Sequence, residues 1–227
     1  MFRNEITLLE LENKKQLKEL REDDKHIIKN IMKSMSIFKV NSYDAQVIRR
    51  DLIGMAQELK LRGSSLEDSI GDNLNEFTNE IIKNSAGPNI YEILLKFLSK
   101  LSGYFFAWFL LSAFALYGGT SWETSNIIYP FYVGVVIIAF IAEGLIDPLF
   151  STEKGFKKNL QSLISLLIIV AWSIINYLLK DSQHNVEVNG VIIIIASGLI
   201  YWITRYLNSI NIRKLAKGKY NFIEDLK

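Results

Sequence analysis

The chain has 227 residues, 49% hydrophobic and 22% charged, with a positive mean hydropathy and a formal net charge of +2. The absence of cysteine excludes a disulfide scaffold, a thiolate zinc site and a cysteine nucleophile, and two distant histidines, His26 and His184, leave little for a metal centre or a Ser-His-Asp triad. Near-balanced charge argues against a nucleic-acid partner, and the lack of any HExxH, GxSxG or glycine-rich phosphate loop points to a chain that is no enzyme and needs neither metal nor cofactor.

Charge divides the sequence. Residues 1–100 carry 16 basic and 16 acidic side chains, whereas the remainder carries ten and eight, mostly outside four apolar blocks. That split predicts an all-α protein: a cytoplasmic helical module over 1–88, then a four-helix transmembrane bundle. The opening Met1-Phe-Arg-Asn-Glu5 lacks the apolar run of a signal peptide, so the first half is expected to stay in the cytoplasm.

Residues 4–38 read as one long helix or two consecutive ones. Leu17, Leu20, Ile27, Ile28, Ile31, Met35 and Phe38 recur at three- and four-residue steps, and the charged run Lys18–Lys25 is a solvated face or a break. Val40-Asn41-Ser42 breaks and caps, because a short polar side chain accepts the free N–H groups of a following turn. The next helix, about Tyr43–Leu61, has Val47, Leu52, Ile53, Met55, Ala56 and Leu59 on its inner face and ends at Arg62-Gly63. Ser64–Glu67 and Asn73–Glu76 both show capping-box spacing, the second opening a helix with Leu74, Phe77, Ile81 and Ile82 as its apolar face. Oxygen-bearing residues around Asp72 lack the alternation of a calcium loop, and helix capping accounts for them.

Gly63, Ser64, Glu67, Gly71, Asp72 and Phe77 together trace a helix, G-(K/R)-(S/T)-x-x-(D/E), a short helix, G-D, and a helix with a buried aromatic. Over roughly residues 10–85 the chain resembles the HAAS-like, PadR-associated helical-domain membrane proteins of low-GC Gram-positive bacteria. The resemblance implies a membrane-anchored regulatory or interaction module and carries no catalytic residues with it.

After Gly87-Pro88, Asn89 caps the amphipathic segment 89–102, whose stripe is Ile90, Ile93, Leu94, Phe97 and Leu101. It either lies on the inner membrane surface or runs into the first span. Four spans follow, at about 103–118, 127–146, 160–179 and 188–207; three are about 20 residues long, enough to cross roughly 30 Å of hydrocarbon. Lys96, Lys100, Lys154, Lys157, Lys158 and the tail 209–227 gather the positive charge on one side, which predicts a multi-pass cell-membrane protein with both termini cytoplasmic.

Within the spans, Glu143 is an acid in hydrocarbon, costly unless paired or hydrated. Arg205 lies at about the same depth and is its expected partner. Asn176 and Ser173 are candidates for interhelical hydrogen bonds, and Pro130 falls in the first turn of the second span. Arg213, Lys214, Lys217 and Lys219 are placed to meet lipid headgroups. The expected function is a non-enzymatic regulatory, signalling or accessory subunit whose module binds a protein partner or a second copy, movement passing through Ile90–Leu101. The alternative is a small oligomeric transporter or channel using Glu143 and Arg205.

Overall fold

The structure, a computed structural model, describes residues 5–71, 73–117, 125–128, 130–151, 156–178 and 186–216. Their regular secondary structure is helical apart from one short antiparallel ladder, with turns between the helices. They form two compact units: one drawn from Met1–Ile93, Gly144–Lys158 and Ser209–Lys227, the other from Leu94–Glu143 and Asn159–Asn208.

The first unit begins with α1 (Glu5–Lys18) and α2 (Glu22–Ser34), so the charged run is a break. Glu22, Asp23 and Asp24 then occupy the first turn of α2, where the free N–H groups favour negative charge. The helices α3 (Ser42–Leu61), α4 (Leu66–Ile70) and α5 (Leu74–Lys83) follow. Ile28, Ile31, Ile53, Ala56 and Leu66 are fully buried at the centre, with Leu20, Met35, Val40 and Leu52 around them. Of the other residues expected inside, Leu17, Ile27, Met55, Leu59 and Phe77 are partly buried against this core. Full burial of each large aliphatic side chain contributes about 1.5–3 kcal/mol.

Polar joints fix the helix ends. Asn41 caps α3 by accepting from the Asp44 N–H at 2.9 Å, and its own amide donates to the Ala86 carbonyl at 2.9 Å. The carboxylate of Asp24, wholly buried, accepts from the Leu66 N–H at 2.9 Å and from Arg21 Nε at 3.0 Å. It thereby satisfies one of the orphan donors at the start of α4.

Gly63, at φ 76°, closes α3: its N–H donates to the Lys60 carbonyl, and that of Ser64 donates to the Leu59 carbonyl. That closure uses Ser64 and shifts the expected cap by one residue. The capping box is Ser65 with Asp68, rather than Ser64 with Glu67. Asn73 also departs from expectation, since its side chain makes no capping bond to α5.

This unit also contains the ends of later helices. Ile6 of α1 and Tyr43 of α3 form a buried cluster with Ile212 and Ala216, flanked by Val47 and Leu215. Ser34 and Ser151 share a hydrogen bond between their hydroxyls. Phe38 lies so closely over Gly144 that a Cβ there would stand 2.0 Å from its ring.

The later helices are α6 (Ile90–Tyr117), α7 (Pro130–Ile141), α8 (Asp147–Phe150), α9 (Phe156–Leu178) and α10 (Gly190–Ala216). The amphipathic segment and the first apolar block are therefore a single helix, started by Asn89 Oδ1 accepting from the Glu92 N–H at 2.7 Å. A π-helical turn, Ala142–Ile146, joins α7 to α8. Its cause is local: Pro148 has no N–H for the Gly144 carbonyl, and its ring crowds that position.

Two expected helix starts begin later than the hydropathy suggested. Residues 127–128 belong to β1 (Ser125–Ile128) and residues 188–189 to β2 (Val186–Asn189), paired antiparallel with Ser125 opposite Asn189 and Ile128 opposite Val186. Asn189 then caps α10, accepting from the Val191 N–H at 2.9 Å.

Three stretches are long and apolar enough to cross a membrane: Ile90–Leu111, Val133–Phe150 and Gly190–Ala216. Within α9, Ser162–Ile175 is a shorter apolar stretch. Leu111, Leu166, Ile174, Ile192, Leu199 and Trp202 are all exposed, the inverse of a water-soluble surface.

Candidate functional site

The polar groups of the second unit gather on α6, the α7 end and α10. On α6, Phe97 meets Phe140 edge-on at a centroid distance of 5.2 Å. One turn along, Lys100 Nζ forms an ion pair with Glu143 and lies 5.8 Å from the centre of the Phe140 ring. The expected pair of Glu143 with Arg205 is therefore not formed. Lys100 takes the acid because α6 continues unbroken past the point where the first span was expected to begin.

The acid stands in the π-helical turn, with its side chain 61% exposed and that of Lys100 35% exposed. In an apolar surrounding both charges would be costly alone, and pairing offsets that cost. Arg205 instead donates from Nη1 to the Tyr201 hydroxyl at 2.9 Å, and its guanidinium carbon lies 5.5 Å from the centre of that ring. Tyr201 in turn lies on α6 at Gly103, where a Cβ would be 3.4 Å from the ring. Gly198 seats Phe106 in the same way, at 3.3 Å. These two glycines let α6 and α10 approach closely, as small residues do between apolar helices.

The remaining expected residues fall in separate places. Ser173 is exposed and donates to the Ile169 carbonyl of its own helix at 2.8 Å, which satisfies its hydroxyl without another helix. Asn176 lies on α9, but its side chain is outside the described residues, as are Lys217, Lys219 and Asp72. Arg213 and Lys214 are exposed in the last turn of α10.

In the module motif, Gly63 and Gly71 have positive φ, at 76° and 65°, the role their residue type suits. The carbonyl of Ser64 accepts from the Arg21 guanidinium, and Phe77 packs against the core. Glu67 is exposed and its backbone carbonyl accepts from the Gly71 N–H at 2.8 Å. Those of the motif among the described residues serve turns, helix ends and packing.

Sequence reasoning missed Lys100 and Tyr201. The signal for Lys100 was present: Lys100 and Glu143 lie on consecutive helices, on opposite sides of the connection that joins them. An antiparallel hairpin can bring such positions to one level. Missed too was Glu92, wholly buried, whose Oε1 accepts from the Ser42 N–H at 2.8 Å and hydroxyl at 2.7 Å. Among the described residues there is no group of three or more His, Cys, Asp or Glu able to hold a metal ion. Comparison with models of protein families, with curated proteins and with solved structures gave no match.

Proposed function

We propose that the chain is a non-enzymatic, multi-pass cell-membrane protein that serves as a regulatory or accessory subunit, its N-terminal helices binding a protein partner in the cytoplasm. One observation carries the reading: Ile6 and Tyr43 of those helices bury Ile212 and Ala216 at the end of α10. A partner that rearranges α1 or α3 acts directly on a helix long and apolar enough to cross a membrane. The Ser34–Ser151 bond and the Phe38 ring on Gly144 extend the same logic to the α7–α8 region. Coupling then has more routes than the Ile90–Leu101 segment alone.

The topology belongs to the same proposal. In chain order, residues 94–143 and 159–208 each consist of a helix, a connection containing a strand, and a second helix. Two such helix pairs in succession favour four crossings, with α9 the third, and an even number of crossings puts both termini on one side. The basic residues Lys96, Lys100, Arg213 and Lys214 favour the cytoplasm for that side. The resemblance to HAAS-like membrane proteins agrees with this assignment.

Native mass spectrometry of the chain purified gently from its own host membrane tests the function. A stable complex with another membrane or cytoplasmic protein is expected. A homo-oligomer without a partner would overturn the regulatory reading in favour of a transporter, in which the Lys100–Glu143 pair would be the intramembrane site. The π-helical turn at Glu143 is the observation that keeps this second reading, because such turns often mark functional positions.

A further inference from the structure

We propose that Arg205 and Tyr201 form a binding site for the phosphate of an anionic phospholipid, an inference that rests on α10 crossing the membrane. The charge balance of the polar layer motivates it. Glu143 is engaged by Lys100, which leaves Arg205 without that acid. Among the described residues, the hydrogen-bond partner of Arg205 is the Tyr201 hydroxyl, which carries no countercharge. A guanidinium in a membrane-crossing helix is costly without a countercharge, and an anion from outside the chain would supply one where the described residues do not.

The geometry favours a lipid as its source. Arg205 is exposed on α10, which leaves it accessible to a molecule outside the chain. Trp202 and Tyr206, both exposed, flank it, and amphipathic rings on a lipid-facing helix collect at headgroup level. The site is also built rather than incidental. Tyr201 is seated on the α6 backbone at Gly103, and its hydroxyl at 2.9 Å holds one end of the guanidinium. The remaining donors keep the planar fork that matches two phosphate oxygens.

The test uses the full chain in nanodiscs containing phosphatidylglycerol or phosphatidylcholine, released for native mass spectrometry. Phosphatidylcholine carries the same phosphate with its charge cancelled by choline. Preferential retention of phosphatidylglycerol is expected, and Arg205→Gln should reduce that preference about tenfold, as loss of a charge-assisted pair does. Tyr201→Phe leaves the charge but frees the fork, and should give an intermediate loss even if Arg205→Gln folds poorly. Arg205→Lys should restore charge without the two-oxygen match and also fall between.

Equal retention by wild type and all three variants would overturn the proposal. Displacement of the lipid by inorganic phosphate would overturn it in favour of a free anion site. A dimer that dissociates in Arg205→Gln would overturn it in favour of an acid from a second copy. Alkaline carbonate extraction separates the premises: release of the chain would defeat the membrane reading as well. An integral chain with unchanged lipid retention defeats the lipid site alone.

Discussion

The two units solve opposite solvation problems with the same secondary structure. In the N-terminal helices, Ile28, Ile31, Ile53 and Leu66 are fully buried, and charged side chains such as Glu19, Lys29 and Glu80 lie outside. Along α6, α9 and α10 the order is reversed, with Leu111, Ile174, Ile192 and Trp202 exposed and the polar Ser197 and Thr204 turned in. Both hydroxyls donate to carbonyls of their own helix, Ser197 to Ile193 at 2.6 Å and Thr204 to Ile200 at 2.8 Å. The comparison teaches that helicity is common ground, while the source of stability differs. Water drives the first unit together, whereas the second has close backbone approach and paired polar groups to hold it.

The contrast is broken most severely in the core. Ile53→Ala should destabilise the N-terminal helices by about 2–5 kcal/mol, since it removes buried methylene groups and leaves a void. Thermal melting followed by circular dichroism checks this, and Leu111→Ala, at an exposed apolar position, should move the same transition far less. Equal losses would mean that the lipid-side surface is as tightly packed as the core.

A smaller effect sharpens the electrostatic side. Glu143→Gln and Lys100→Gln should each weaken the protein, and the double variant should cost less than the sum, with a coupling of about 1 kcal/mol. Combining Glu143→Gln with Arg205→Gln should instead be additive. The reverse pattern in stability measurements would return the acid to Arg205.

The smallest expected effect lies at an exposed cap. The Ser65 hydroxyl and N–H both donate to Asp68, and this holds its carboxyl below the ordinary carboxylate range. A carboxyl lowered on folding stabilises above its unfolded value, and that contribution disappears as pH falls through the lowered folded value. Asp68→Asn should therefore lower stability slightly at neutral and alkaline pH, leave it unchanged at strongly acid pH, and so flatten the acid side of the profile. Melting temperatures from neutral to acid pH measure the difference; identical profiles would show that the cap adds nothing.

What the sequence made readable was local. Asn41 and Asn89 announce helix starts because the side chain that caps lies within three residues of the N–H it accepts from. Gly63 marks a helix end through its own backbone freedom. Misreadings arose where two local rules claim the same residues: Ser64 fits a cap, yet the closure of α3 uses its N–H first. Hydropathy likewise treated residues 127–128 and 188–189 as membrane helix, because apolar strands and apolar helices have the same composition. The Lys100–Glu143 pair is a relation between helices, and a first span beginning at 103 leaves Lys100 outside it. Pro148 was visible, but the widened turn it imposes at Glu143 appears only when its missing donor is traced back along the helix.

The seat of Phe38 on Gly144 has a consequence for how such a chain can change over evolutionary time. With a ring 2.0 Å from where a Cβ would stand, Gly144 is not free to vary alone. A larger residue at 144 would need a smaller one at 38, whereas leucine or methionine at 38 could persist beside glycine. Among divergent descendants of this chain, residues 38 and 144 should therefore exchange volume as a pair, although 106 positions separate them in the sequence.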